Sequence, residues 1–430
     1  MAFNGWLSYC SMKIPVANVS SVVTANVSAM PVLLTKDNFP PQIFTTSAGC
    51  KIDGSDIRFS TTSAGTDDLP REIVNIDKTN GILAVYVKIP VISYTSDTTF
   101  WCFWNNSNAS EPGKGTTSVL TNVWSDFYGV FNFQNTTTAW KGINDSSSQY
   151  TNMSVIGTSA VTSAGYASGL KSIVLTTACG MSYNELVSFA SSTAVSAYDF
   201  SFWINQNGTQ SVFNFGTGTN GILYGMLTAG QFGVSWGLLC TTTNAIAATD
   251  WHYVHARGVN GTYAIYVDGV DKTSNSGSAA ATAFTTFGLG TTAGPAKPVC
   301  ISDFRMTRNK NTPVNNIKLQ YKNYYAPATF VTPGAVTTQS SQVVLTLTGL
   351  VSGTEVRIYD STTTAELTGV ESLATSTFSY SYSYTGSTNV NIVIFNLYYQ
   401  PIRYDNFTLG SSNTTIPIQQ SFDRDYYNPA

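Results

Sequence analysis

The chain has 430 residues and a formal net charge of −3, with 10% of residues charged, 43% hydrophobic and 13% aromatic. This length exceeds one ordinary core and fits about three domains, and so many aromatics with so little charge exclude a disordered chain. The weakly negative balance, without a Lys/Arg-rich run, excludes nucleic acid as a partner; no stretch approaches the ~18 apolar residues of a membrane-spanning helix, so no membrane insertion is expected.

The N-terminus, Met1 to Cys10, lacks the basic segment and apolar run of a secretory signal, so the chain is expected to assemble in the cytoplasm where it is made. Period-two alternation recurs along nearly the whole chain, and sustained helical periodicity is almost absent. A first strand region covers Asp56 to Ser60, followed by a turn-rich connection from Thr61 to Asp68. From Ile82 to Ile89, Leu83, Val85 and Val87 share one strand face. Further on, Phe200, Phe202 and Ile204 alternate with Ser201, Trp203 and Asn205, and Tyr263, Ile265 and Val267 alternate with Ala264, Tyr266 and Asp268. The second of these strands runs into Asp268-Gly269, a hairpin signal. Beyond Pro327 and Pro333, Val343, Leu345 and Leu347 take one face, Val351 to Thr354 turns, and Val356 to Tyr359 returns. Short strands at this spacing, with no helices between them, predict an all-β chain built of β-sandwiches.

Cys10, Cys50, Cys102, Cys179, Cys240 and Cys300 are widely spread without a Cys-x-x-Cys pair, which predicts buried reduced thiols. The Asn-X-Ser/Thr triplets at Asn18, Asn26, Asn105, Asn207 and Asn406 follow from the Ser, Thr and Asn richness of the chain.

Several ordered motifs carry family resemblances. Gly5-Trp6 to Ile14-Pro15, Met30-Pro-Val-Leu-Leu34, Asp53-Gly-Ser-Asp56-Ile-Arg-Phe59, Leu69-Pro-Arg-Glu72-Ile and Val85-Tyr-Val-Lys-Ile-Pro90 resemble a small β-sandwich that often precedes laminin-G-like domains in bacterial and phage proteins. Within it, Asp53, Asp56, Arg58 and Glu72 are expected to satisfy one another around a turn. Val123 to Phe133, Ala197 to Ile204, Trp251-His-Tyr-Val254, Tyr263 to Gly269 and Cys300 to Met306 are similar, in order, to the strands of a concanavalin A-like, laminin-G-type jelly roll. Tyr398-Tyr-Gln-Pro-Ile-Arg403 and the ending Ile418 to Pro429 resemble small C-terminal β-domains of phage structural proteins. The resulting layout is an N-terminal β-sandwich over 1–122, the jelly roll over 123–324 and a C-terminal Ig-like β-sandwich over 325–430.

The jelly-roll resemblance brings two chemistries to test. Its glucanase members need a close carboxylate pair, but Glu72, Glu111, Glu185, Glu355, Glu366 and Glu371 form no such run, and Glu366 and Glu371 are read as lying in a Thr/Ser-rich loop. His252 and His255 are the only histidines, and their odd separation sends them to opposite faces of a strand, so no catalytic dyad or metal pair is expected. Some members coordinate calcium through loop carboxylates. Asp250, Asp268 and Asp271 are the candidates, with turn capping the expected role, and no cofactor is otherwise implied.

Aromatic residues carry the binding potential. Phe378, Tyr380, Tyr382 and Tyr384 share one strand face, as a bulky inner layer or as an exposed patch. Trp203, Tyr224 and Trp236 in the jelly roll would stack on sugars if exposed, with burial the expected state. Together these readings predict a non-enzymatic structural protein on the surface of a phage particle, in head decoration, fibre or tail. Its partners would be other virion proteins and further copies of itself. The alternative is a glycan-binding receptor or adhesin module on a phage tail or bacterial surface, taking a host-surface glycan.

Overall fold

The computed structural model describes residues 5–109, 123–127, 129–134, 141–143, 153–157, 161–175, 179–183, 197–206, 211–215, 222–226, 232–235, 239–242, 250–259, 262–274, 287–289, 299–308, 311–338, 341–384, 388–410 and 412–424. Contacts divide the chain into two compact units, one of residues 8–337 with 1–3, the other of residues 338–430 with 4–7. Among the described residues six sheets form, and they make the chain all-β, as its alternation predicts.

The first unit opens with a small sandwich. One sheet runs in the order Thr332–Thr338, Ser8–Ile14, Thr98–Trp104, Arg58–Ser60; the other runs Val27–Thr35, Ile82–Ile92, Arg71–Asp77. Alternation fills the space between them: Cys10, Met12 and Ile14 from one sheet meet Val32, Leu34, Leu83, Val85 and Val87 from the other in a single buried cluster. Each such apolar side chain contributes about 1.5–3 kcal/mol through burial.

The jelly roll follows in the same unit, with two eight-stranded sheets. One sheet carries Ala197–Gln206 at its centre, between Val299–Arg308 and Trp251–Val259. Its inner face presents Phe200, Phe202 and Ile204, and Phe202 meets Phe232 of the opposing sheet at 5.7 Å. Asp268 and Gly269 turn the hairpin with φ of 55° and 74°, the left-handed pair that a two-residue type I′ turn requires.

The helix Val314–Tyr325 departs from the helix-free expectation. Pro313 precedes its first residue, and Ala326, which comes before Pro327, leaves the α region and ends it. Ile317 and Tyr324 bury against Trp203, Tyr253 and Tyr266, so the second face of the jelly-roll sheet is covered rather than wet. The helix also closes the open edge of Val27–Thr35. Asn323 accepts from Leu33 N (2.7 Å) and donates to Leu33 O (3.0 Å), Tyr324 Oη donates to Pro31 O (2.9 Å), and Asn316 Nδ2 donates to Ser28 O (3.2 Å). Side-chain bonds of this kind blunt a strand edge that would otherwise recruit another chain.

Asp53, Asp56, Arg58 and Glu72 make bonds that reach beyond one another. Asp56 accepts from the backbone N–H of Lys51, Asn105 and Asn106, Asp53 from Ser55 N, and Arg58 donates to the carbonyls of Ser55 and Ile57. Glu72 turns to the start of the jelly roll, accepting from Trp124 Nε1 (2.6 Å) and Asn132 Nδ2 (3.0 Å). The first sandwich and the jelly roll are therefore joined through buried polar bonds as well as apolar packing.

The second unit is a sandwich of a three-stranded sheet, Thr377–Tyr384, Ser341–Thr348, Thr414–Pro417, and a four-stranded sheet, Glu366–Leu373, Thr354–Asp360, Thr388–Asn396, Tyr399–Leu409. Val343, Leu345 and Leu347 face Val356, Ile358, Val390, Ile392 and Ile394 across its core. Glu366 and Glu371 stand on a strand rather than in a loop, and both bind Arg357, at 2.9 and 3.3 Å.

Candidate functional site

Phe378 and Tyr382 are buried in the core of the second unit, Tyr380 packs against it, and the Tyr382 hydroxyl donates to Gly410 O at 2.8 Å. The inner-layer alternative thus describes these three rings; the side chain of Tyr384 lies outside the described residues. Trp203 is 1% exposed, stacked on Tyr166 at 4.3 Å. Tyr224 stands on the strand Ile222–Met226 with its side chain outside the described residues, where Trp236 also falls. Asp268 accepts from Tyr253 N (2.9 Å) and lies 2.7 Å from His252 Nδ1, while Asp271 accepts from Thr273 N (3.0 Å). The Asp271 carboxylate caps its turn, whereas the Asp268 carboxylate ties the hairpin to the neighbouring strand at His252 and Tyr253. Asp250 is exposed at the start of the strand Trp251–Val259. His252 and His255 take different carboxylates, His252 Asp268 and His255 Asp199. Among the described residues no cluster of three or more His, Cys, Asp or Glu stands in metal-binding geometry.

The structure assembles a different site from residues with no shared sequence motif. A cleft of about 350 Å³ opens in the first unit where the small sandwich, the jelly roll and the helix meet. Asn26, Ser28, Ala29 and Pro31 line it from the edge of the small sandwich, and Asp126 and Phe127 from the turn that enters the jelly roll. Thr307, Thr312, Pro313, Asn315, Asn316 and Gln320 close it from the strand end and the helix.

Local geometry explains this convergence. Asn316 and Gln320 are four apart and lie on one helix face. Phe127 is seated edge-on against the buried Trp124 at 5.2 Å, and its N–H bonds Trp124 O at 2.8 Å. Asp126 is held by Lys88 Nζ at 3.3 Å. Ala29 has a φ of 51°, left-handed for a residue with a Cβ, a strain of about 1–3 kcal/mol of the kind that gathers at binding sites. Beneath the lining, the buried Asp199 accepts from Thr312 N and donates its own N–H to Thr307 Oγ1, and Tyr253 Oη donates to Gln320 Oε1 at 3.1 Å.

Among the described residues the cleft thus offers carboxamides, hydroxyls, one carboxylate and one aromatic ring, with no Lys or Arg in its lining. Asn and Gln each present donors and an acceptor side by side, the arrangement that matches neighbouring hydroxyl groups on a ligand. The aromatic alternation that draws attention in the sequence leads to cores. The one signal of the cleft available there is the Pro313-to-Pro327 bracket around Asn315, Asn316 and Gln320, which marks a helix start and stop.

No family model matches the chain, and no curated protein matches it in sequence. Among solved structures it is similar to domain 4 of the arabinanase AbnA from Geobacillus stearothermophilus, in complex with arabinotriose (16% identity, 45% of this chain and 97% of that one, TM-score 0.36). It is also similar to the botulinum neurotoxin type G receptor binding domain (11%, 63% and 72%, 0.36) and to Trypanosoma rangeli sialidase (11%, 48% and 34%, 0.34).

Proposed function

We propose that this chain is a carbohydrate-binding module, of the receptor or adhesin type, whose site is the cleft between the small sandwich, the jelly roll and the helix. The observation that carries the reading is the lining itself: Asn26, Asn315, Asn316 and Gln320 surround a space of about 350 Å³ with Phe127 at its side. Pockets of this size lie at the small end of those that hold discrete ligands, which suits the end of a short oligosaccharide. Amide groups would bond sugar hydroxyls in pairs while Phe127 covers an apolar ring face. In this reading the module binds without turnover: among the described residues Asp126 is the one carboxylate in the lining, where retaining or inverting hydrolysis uses two.

A panel of immobilised oligosaccharides, probed with the full chain and then with Asn316→Ala and Phe127→Ala, tests the reading. Selective binding that both substitutions weaken at least about tenfold, a loss of about 1.4 kcal/mol, supports it. Absence of binding, or binding that neither substitution changes, overturns it.

A second reading, a structural role on a phage particle, has its own observation. Leu397, Tyr398 and Phe422 are exposed in the second unit, Phe422 by 61%, and Phe422 stacks on Tyr399 at 4.5 Å. The backbone bonds Gln400 N to Ser421 O and Asp423 N to Tyr398 O bring these side chains together. An apolar patch of this kind suits contact with another virion protein or another copy of the chain. Cryo-electron microscopy of particles tests it, and absence of the chain from every particle would end it.

A further inference from the structure

We propose that Asp199 and His255 are positioning residues for the cleft and couple its ligand affinity to protonation; the inference rests on the carbohydrate reading of that cleft. Three lining residues, Thr307, Thr312 and Gln320, hang from one buried polar chain. Asp199 takes the first two through its backbone N–H and its Oδ2. Tyr253 holds Gln320 through its hydroxyl, which also lies 3.5 Å from His255 Nδ1. Among the described residues, His255 Nε2 stands 3.5 Å from Asp199 Oδ2 without a hydrogen bond, and Asp199 Oδ1 likewise has no hydrogen-bond partner, although both residues are buried. Buried polar atoms are normally satisfied, so two unsatisfied atoms on facing residues ask for a reason.

A proton supplies one. Imidazole is the side chain that changes charge between pH 5 and 8 in ordinary surroundings. While the ring is neutral, Asp199 Oδ2 serves the Thr312 N–H. A protonated ring places a charged donor against the same oxygen and draws it away from Thr312. Arg257 Nη1 still holds Thr312 O at 3.2 Å, so the residue pivots rather than detaches. The segment moved is Thr312-Pro313, the entry to the helix that carries Asn315 and Asn316. Among the described residues, the groups around the imidazole include Tyr253 and Arg257 on its own strand and Ser201 and Tyr266 opposite it on the neighbouring strands; Gln320 and Tyr324 of the helix are reached through Tyr253, the Asp303–Arg305 pair lies beyond Ser201 and Tyr253, and Asp271 beyond Tyr266.

The full chain is titrated from pH 5.5 to 7.5 by nuclear magnetic resonance, following the His255 ring, distinguished from His252 by the His252→Gln variant, and the Thr312 amide. Affinity for the tightest oligosaccharide of the panel is measured across the same range in the parent chain and in His255→Gln. Expected are a loss of at least about fivefold in affinity toward pH 5.5, a Thr312 amide shift that tracks the His255 ring, and a flat affinity profile in His255→Gln. A Thr312 amide that stays still while the His255 ring titrates overturns the coupling, as does a pH dependence that survives in His255→Gln. Should that variant not fold, the Thr312 shift in the parent chain decides alone. A tracking amide in a chain that binds no oligosaccharide supports the coupling and sinks the carbohydrate reading instead.

Discussion

The Tyr86 hydroxyl of the small sandwich donates to Asp303 Oδ2 of the jelly roll at 2.7 Å, across 217 residues of sequence. Asp303 also accepts from Tyr166 at 3.0 Å and pairs with Arg305, whose guanidinium lies 4.6–4.8 Å from the ring centroids of Tyr86, Trp124 and Tyr324. The charge pair is fully buried. Removing one member leaves the other uncompensated in a low-dielectric interior, so Arg305→Met is expected to destabilise the first unit by about 3–5 kcal/mol. Asp303→Asn with Arg305→Met should cost less than the sum of the single changes, because the double variant leaves no orphan charge. Urea denaturation followed by tryptophan fluorescence reads both. Additive losses would mean that the pair does not act as one unit.

How much of this was legible depended on which face of an element a residue occupies. Leu83, Val85, Val87, Phe200, Phe202, Ile204, Val343, Leu345 and Leu347 lie inside, where period-two alternation puts them, and Asp268-Gly269 turns as its dipeptide predicts. Alternation fails where a sheet is covered twice. Ser201 and Trp203 sit on the supposed outer face, yet both are buried, Trp203 in a cluster with residues of the helix and the small sandwich. That helix escapes periodicity because Gln320 and Asn323 occupy buried positions normally held by apolar residues. The cleft was illegible for a related reason: its amides come from residues 26, 315, 316 and 320, and polar residues brought together only by tertiary packing leave no local pattern.

The aromatic strand of the second unit separates core from surface by magnitude. Tyr382→Ala should cost about 3–5 kcal/mol, as for a buried ring, against less than about 0.5 kcal/mol for an exposed one. Tyr382→Phe keeps the ring but leaves Gly410 O without its donor, an expected loss of about 0.5–1.5 kcal/mol. Guanidinium denaturation with a probe in residues 338–430 distinguishes these values. A near-neutral Tyr382→Ala would return this strand face to solvent.

Burial pushes the thiols of Cys10 and Cys50 up to about 12, with Asp56 and Asp53 adding to the effect at Cys50. The thiolate is the species that alkylates, so thiols raised this far react much more slowly at neutral pH than an ordinary one. Iodoacetamide at pH 8 followed by peptide mass spectrometry should therefore leave Cys10 and Cys50 unmodified in the folded chain and label both in urea. Rapid labelling of Cys10 without denaturant would contradict the packing of Ser8–Ile14 against Thr98–Trp104.

Asp67 gives the acid limb of stability. Partial burial raises its carboxyl, but bonds from the Ser60 hydroxyl and from the N–H and hydroxyl of Thr61 outweigh that and hold it below the usual 3.8. A carboxyl depressed in the folded state stabilises above its unfolded value, and that contribution is lost as pH falls through the folded value. The first unit should accordingly lose stability from about pH 4 downward, in part through this residue. Asp67→Asn should be weaker than the parent chain at pH 7 and should show a shallower decline between pH 4 and pH 2. Thermal unfolding of both chains across that range measures the difference. Parallel curves would show that Asp67 binds as many protons folded as unfolded across that range, and that the Thr61-to-Asp68 connection is held by its neutral bonds instead.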